Sequence, residues 1–457
     1  MKMKFSLVLI SLLIPALASI GQEKNNVIRI YDEVVFYDGY LMSNNPDKDL
    51  DDGITRHSCS LYSVKLTDDQ LDAFGDKLDL NVTVRACCDN YDRIGNINIA
   101  FVDKGATSYV PEETSRIEIG RFITPFMDKN KEPKQVPYAY EMNYLSELLR
   151  DKDIRTKYDL WIEFELFGVP YAANQEIIGC KNRSDVFAGT LEFMTNEPAG
   201  PSEGNIIVPI VIKKPEYIAG GNFNNYGENS TDEIGKTVKT YTFNVDEDLM
   251  SSQIVLITSN HGANENGEEY NRRWHFVYFD DELVLSYRPG RDSCEPFRQY
   301  NTQANGIYGY SKKSDALWQS FSNWCPGDVI DNRIISLDKL AKGEHKIRIE
   351  VPDAVFYNGQ GDIPVSMYIY GSTRESSNSV KTIMADEDFP VKIIAKEGMI
   401  SVLTSEDIEK IDVYSLSGEK IHSQNNSDTV NLVNRKGLYI VCIEMADGVN
   451  YSGKVVL

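Results

Sequence analysis

What most constrains this chain is the recurrence of short stretches rich in β-branched and aromatic residues, most of them alternating apolar with polar. LNVTVRA (80–86), RIEIGRFI (116–123), LWIEFELF (160–167), NIIVPIVI (205–212), TYTFNV (240–245), SQIVLITS (252–259), HKIRIEV (345–351) and VSMYIYG (365–371) are of this kind, and RWHFVYFDDELVLSY (273–287) is a longer example. Successive side chains of a strand point to opposite faces, so each stretch offers one apolar face that it cannot bury alone. Many such strands divided by turn residues mean sandwiches or barrels. Helical spacing is convincing in YEMNYLSELL (140–149), while LTDDQLDAFG (66–75) holds one or two helical turns ending at Gly75. The expectation is an all-β protein.

A length of 457 residues suits about three domains. TNEPAGPSEGN, rich in Pro and Gly, marks a linker at 195–204. The blocks on either side, 25–194 and 205–375, each have the size of one β-sandwich. Beyond the polar stretch SSNSVKTIMADEDF (376–389) come IEKIDVYSL (408–416), GLYIVCIEM (437–445), a turn at Asp447-Gly448 and a closing YSGKVVL. These predict a small C-terminal β-sandwich over 385–457, near the lower size limit for independent folding.

Bulk chemistry excludes several functions. The formal net charge is −22, and no long Lys/Arg run offsets it, which argues against nucleic acid as a partner. Lys2 and Lys4 precede an apolar run from Phe5 to Ile14, and Ala16-Leu17-Ala18 supplies small residues for cleavage. Residues 1–18 therefore read as a secretory signal peptide, too short to span a bilayer, and no later segment is long enough to do so. Export places the chain outside the cytoplasm, in a periplasm, on the cell surface or in the medium. It also permits disulfides. The seven cysteines (59, 87, 88, 180, 294, 325, 442) leave at least one unpaired. They and the five scattered histidines show no metal-ligand spacing, so no metal or cofactor is expected.

Three places carry acids in settings that suit chemistry. In CCDNYDRIGNINIAF (87–101), a strand with Ile97, Ile99 and Phe101 on its apolar side is preceded by Asp89, Asp92 and Arg93. In LWIEFELF, alternation puts Leu160, Ile162, Phe164 and Leu166 toward the core. Trp161, Glu163, Glu165 and Phe167 share the other face. Aromatic rings beside carboxylates suit a sugar, whose C–H faces stack and whose hydroxyls donate; a charged, wet sheet face has the same pattern. In NHGANENGEEYNRRWHFVYF (260–279), a loop carrying His261, Glu268 and Glu269 feeds a strand, the kind of place where β scaffolds build sites.

The islands VIRIYDEVVFYDG (27–39), CCDNYDRIGNINI (87–99), RIEIGRFITPF (116–126), LWIEFELF, GEEYNRR (267–273) and NWCPG (323–327) occur in an order and spacing that resemble the peptide:N-glycosidase F family. The resemblance implies two jelly-roll-like antiparallel β-sandwiches packed side by side with the site between them. It implies hydrolysis of the amide joining Asn to the innermost N-acetylglucosamine of an N-linked glycan, leaving Asp and releasing a glycosylamine. N-glycoproteins or N-glycopeptides would be the substrates. It places Asp92, Glu165 and Glu269 as catalytic carboxylates. Arg93, which would hold Asp92 ionised and oriented, and Trp324 become substrate-binding residues, joined by Trp161 and His261 from the stretches above. Cys294 and Cys325 match a family disulfide. At the C terminus, IDVYSLSGEKI, RKGLYIVCIE and KVVL resemble type IX secretion sorting domains of Bacteroidetes, which implies that machinery as a partner.

Some family features are missing. The short disulfide-closed loop before the aspartate is replaced by adjacent Cys87 and Cys88, whose partners are expected elsewhere, with Cys59 and Cys180 as candidates. Gly267 and Asn271 stand where cysteines flank the Glu269 loop. Phe321 stands near an expected arginine, for which Arg291 or Arg298 is the candidate substitute. A non-catalytic, lectin-like glycan-binding module on the same architecture is the rival reading. Retention of all three acids favours the enzyme. Copper-dependent hydroxylases of related architecture are disfavoured by the lack of histidine pairs.

Overall fold

The computed structural model describes residues 26–41, 50–213, 222–224, 235–262, 268–303, 323–356, 361–374, 391–396, 399–404, 407–415, 420–432, 438–446 and 450–456. The expected signal peptide, Gly267 and Phe321 lie outside them. No described helix is long and apolar enough to cross a membrane. The chain divides into two compact units, Met1–Arg374 and Glu375–Leu457.

The first unit holds two antiparallel sandwiches. In one, a four-stranded sheet runs in the order Asn26–Tyr37, Asp185–Thr195, Leu78–Ala86, Gln135–Glu141. Facing it is a six-stranded sheet in the order Val329–Ile330, Ser115–Ile123, Ile94–Asp103, Tyr158–Leu166, Leu61–Lys65, Ile54–Arg56. Val82, Val84, Phe187 and Phe193 from the first sheet bury against Ile97, Ile99, Ile117 and Phe164 from the second. Each is at most 2% exposed, and Ile97, Ile99 and Phe164 are the three among them that alternation places inward.

In the second sandwich, the path Asn205–Val211, Asp362–Ser372, Leu249–Thr258, Arg333–Leu340 packs on Val238–Val245, Gly343–Glu350, His275–Phe279, Glu282–Tyr287. Its core is Ile254, Leu256, Met367 and Ile369 against Phe243, Val277, Ile347 and Ile349. The long 273–287 stretch is thus a hairpin, turning at Asp280-Asp281 with both residues at positive φ (45° and 73°). The helix predicted over 140–149 spans Asn143–Leu149, because residues 135–141 are paired to Leu78–Ala86 as a strand.

The two sandwiches share more than a linker. Val329–Ile330 leaves the second and pairs antiparallel with Arg121 and Phe122 in the first. Segment 196–204 is pinned as well: Ala199 N–H donates to Phe74 O at 3.2 Å, and Ser202 N–H to Arg150 O at 3.2 Å. A satellite core of Ile123, Phe126, Ile257, Trp324 and Ile330, with the Cys294–Cys325 disulfide, draws on both halves.

One expectation about exposure is overturned. The second faces of the strands at 94–103 and 158–166 are not wet: Asn96, Asn98, Ala100, Trp161 and Glu163 are all at most 5% exposed. Residues 104–113 fold back across this face, where Ala106 and Tyr109 pack on Ala100, Val102 and Trp161. A strand pattern shows that a face is polar, but not whether a loop covers it.

Considered by itself, the second unit is a small all-antiparallel assembly. A sheet of Val391–Lys396, Met399–Thr404 and Thr429–Asn431 accompanies one of Lys420–Asn425, Ile408–Ser415, Leu438–Met445 and Asn450–Val456. Ile400, Val402 and Val430 of the one bury against Ile411, Val413, Val441 and Ile443 of the other.

Candidate active site

Where the two sandwiches meet, a cleft of about 720 Å3 opens. Asp92, Arg93 and Glu165 line it from the first sandwich, and Lys213, Glu269 and Trp324 from the second. The three carboxylates singled out by sequence are therefore in one place, although 177 residues separate the outermost two (269 − 92).

Asp92 sits on a turn built by its neighbours. Asp89, 1% exposed, accepts the Tyr91 N–H at 2.9 Å on one oxygen. Its other oxygen accepts the Val169 N–H and the Arg93 Nε–H, each at 2.7 Å. Thr124 braces the far side: its hydroxyl accepts the Arg93 N–H at 2.7 Å and donates to Tyr91 O at 3.0 Å. The Cys88–Cys180 disulfide ties the approach to this turn to the segment after Ile177. Burial, followed by repulsion from Glu269, holds the Asp92 carboxyl well above the usual carboxylate range against the pull of Arg93. Arg93 donates through Nε to Asp89 and draws the Asp92 carboxyl downward, a pull that burial and Glu269 outweigh.

Two pairs of glutamates are split by their positions. Glu163, fully buried, accepts from Arg116 Nη1 at 2.9 Å, Asn98 Nδ2 at 2.9 Å and the Tyr109 hydroxyl at 2.8 Å. Such saturation is what a buried charge requires, and it makes Glu163 structural. Glu165, two residues on, turns into the cleft and meets Lys213 Nζ at 3.2 Å. Likewise Glu268 is fully buried, gripped by Arg273 Nη2 at 2.9 Å and the Val355 N–H at 2.9 Å, while Glu269 reaches the cleft and accepts the Gly262 N–H at 3.3 Å.

Asn323 and Trp324 of NWCPG fix that second wall. Asn323 Nδ2 donates to Glu269 O at 2.8 Å and to Asn260 O at 2.9 Å, and Trp324 Nε1 donates to Asn260 O at 3.0 Å. The Trp324 ring lies 5.9 Å from that of His261, at 26°. His261 meets the Ser259 hydroxyl at 2.8 Å through Nε2. Burial, with Arg121 and Lys213 nearby, pushes it down to about 3, so it is a neutral imidazole near pH 7.

Trp161 does not join the site. It is 5% exposed and packs edge-on against Tyr109 at 5.5 Å, beneath the loop that covers its face. Tyr109 takes the wall position instead, beside His57, which meets the Ser63 hydroxyl at 2.8 Å. Neither candidate substitute for the missing arginine lines the cleft: Arg291 binds Asp328 at 2.7 Å and Arg298 binds Glu295 at 2.6 Å. The cation facing Glu165 is Lys213, which sequence reading passed over because KKP after a strand resembles an ordinary solvated turn. Of the cysteine expectations, Cys180 pairs with Cys88, whereas Cys59 and Cys87 are buried free thiols.

The Lys213–Glu165 pair joins the two halves with side chains only 7% and 14% exposed. Lys213→Met is expected to lower stability by about 1–3 kcal/mol, since it strands a largely desolvated carboxylate. Lys213→Met with Glu165→Gln should lose less than the sum of the single changes in urea unfolding. Additive losses would show that the pair is not coupled.

Two antiparallel sandwiches enclosing an acidic cleft define a double-β-sandwich protein with a site at the junction. More specifically, the chain belongs to the peptide-N-glycosidase F family: the family's N-terminal domain matches residues 27–183 and its C-terminal domain matches residues 225–370. Among known structures, PNGF-II in a P21 crystal form is 16% identical, with a TM-score of 0.56 over 77% of this chain and 66% of that one. In a C2 form it is 18% identical, with a TM-score of 0.55 over 78% and 66%. The chain thus spans slightly less than two thirds of PNGF-II. PNGase F, described as a glycosylasparaginase from Flavobacterium meningosepticum, is 14% identical over 77% of this chain and 96% of that one, with a TM-score of 0.49. A comparison with curated proteins finds no match. Likeness at these identities speaks for the fold alone.

Proposed function

We propose that the chain hydrolyses the amide between an Asn side chain and the innermost N-acetylglucosamine of N-linked glycans. The observation that carries the proposal is the meeting of Asp92, Glu165 and Glu269 in one cleft, two of them electrostatically coupled. Family membership supports it.

Two carboxyls that repel at close range divide acid and base roles between them. Asp92, raised by burial and by the charge of Glu269, is the acid in this reading and Glu269 the base. Glu269 takes a proton from water as its oxygen attacks the side-chain carbonyl carbon. Asp92 delivers its proton to the amide nitrogen as the C–N bond breaks. The products are Asp in the peptide and a glycosylamine on the sugar. Such general acid–base help is worth about 10²–10⁴-fold in rate. Glu165, oriented by Lys213, accepts sugar hydroxyls, and Arg93, Trp324 and neutral His261 complete the substrate walls.

Two disulfides and the leader-like first 18 residues support action outside the cytoplasm. The C-terminal unit is assigned to export on its sequence resemblance. The test is treatment of a denatured N-glycoprotein with the purified chain, followed by mass spectrometry. Asn-to-Asp conversion at vacated sites is the expected result. Intact glycopeptides, bound but unchanged, would replace the amidase with the lectin-like reading.

A further inference from the structure

Beside the cleft, and continuous with it, are aromatic rings that the catalytic reading does not use. Phe167 lies two residues beyond Glu165 in the chain and lines the cleft. Its ring stands edge-on to Tyr40 at 5.2 Å, and Tyr40 lies nearly parallel to Tyr171 at 6.3 Å and 18°. The series leads outward from the carboxylates: Phe167 is half-buried, whereas Tyr40 and Tyr171 are 58% and 55% exposed.

The rings are held in place rather than hanging loosely. The turn at Asp38–Leu41 and the one following Phe167 are joined by Gly39 N–H donating to Gly168 O at 2.8 Å. Phe167 lies so close over Gly39 that a β-carbon there would come within 2.4 Å of its ring carbons, so only glycine allows this packing. Asp38, 5% exposed, accepts the Tyr40 N–H at 3.1 Å and engages the Tyr171 hydroxyl. Asp38 thus fixes the backbone that carries Tyr40 and lies beside the Tyr171 hydroxyl.

We propose that Tyr40 and Tyr171 form a carbohydrate subsite that holds the sugars of the glycan beyond those next to the cleaved bond. Pre-positioned tyrosines offer flat apolar faces to pyranose C–H groups and hydroxyls to the sugar rim, at little cost in side-chain freedom. Paired exposed rings are a poor use of surface unless something covers them. Their continuity with Phe167 and Glu165 makes the distal glycan, rather than the peptide, the occupant.

The proposal rests on the amidase reading for its kinetic test, so a second measurement without turnover is included. Glycopeptides of one peptide sequence are compared, bearing either the two-sugar core or a full branched glycan. Tyr40→Ala/Tyr171→Ala should raise KM about tenfold for the long glycan and leave the two-sugar substrate unchanged. Equal effects on both, or none on either, overturn the subsite, and an effect that follows peptide sequence assigns the rings to peptide instead. Separately, the free branched glycan is titrated against wild type and variant by calorimetry. Binding lost in the variant, with neither glycopeptide hydrolysed by wild type, refutes the amidase and keeps the subsite. Binding that is absent from wild type or unaffected by the change refutes the subsite.

Discussion

Asp92→Asn is expected to abolish glycan release while making the fold more stable at neutral and alkaline pH. The activity loss is about 10²–10⁴-fold, because Asn keeps the shape of the side chain but cannot deliver a proton. The stability gain has a separate origin. The carboxyl of Asp92 is held above its ordinary range by burial and by Glu269. A group whose folded pKa is raised contributes its stability below the unfolded pKa and loses it as pH rises through the folded one. Below the ordinary value of 3.8 the proton is present in both states and nothing is lost; above the folded value the native state carries a charge that burial and Glu269 both oppose. Asn never acquires that charge. The variant should therefore melt at least about 2 °C above wild type at pH 8, on the order of 1 kcal/mol, and close to wild type at about pH 3. Thermal unfolding at both pH values measures one arm, and mass spectrometry of released peptide the other. A variant with wild-type turnover removes Asp92 from the chemistry. One with a pH-independent melting difference shows that its charge is not opposed in the fold.

Such a cost is common where a site must hold like charges together, and it explains which parts of this site were legible beforehand. Because burying one face is a local demand on each stretch, alternation located many of the strands, though not Leu61–Lys65, Gln135–Glu141 or Asp185–Thr195. The acids stood out through their aromatic and loop settings and the family resemblance, not through their type, since Asp89, Glu163 and Glu268 beside them are structural. What alternation does not encode is whether a polar face stays open. Glu163 and Glu165 have the same parity and the same neighbours in sequence, yet a loop placing Tyr109 over one makes it a buried strut and leaves the other in the cleft. Trp161 was misplaced for the same reason. Glu268 and Glu269 differ only in which side of a turn they leave. Thr124, Asn323 and Lys213 passed unnoticed because their work is done on residues remote in sequence, Tyr91 and Arg93, Asn260 and Glu269, and Glu165 respectively. Only three-dimensional pairing turns a threonine after a strand into the brace of the Asp92 turn.

Arg121, in IEIGRFITP, is expected to be the side chain whose loss most weakens the first unit. It is fully buried, a costly place for a guanidinium. Its Nε and Nη2 donate to the two oxygens of Glu118 at 2.7 and 2.8 Å. Its Nη1 crosses to the second sandwich, reaching Ser259 Oγ at 3.0 Å and Pro364 O at 2.9 Å, and Ser366 Oγ donates to Glu118 from the same side. One residue therefore neutralises a buried carboxylate and ties together the two halves whose junction forms the cleft. Arg121→Met leaves Glu118 charged, buried and without its bidentate partner, a change that costs about 3–5 kcal/mol in comparable settings. Chemical denaturation should show that loss, and the transition should broaden or split as the sandwiches unfold less cooperatively. Glu118→Leu/Arg121→Met separates the two contributions. If the stranded charge dominates, the double variant recovers most of the loss, because an apolar pair of similar volume replaces a buried ion pair at little cost. If it recovers nothing, the hydrogen bonds to Ser259 and Pro364 are the dominant tie, and Arg121 serves chiefly to hold the cleft walls in register.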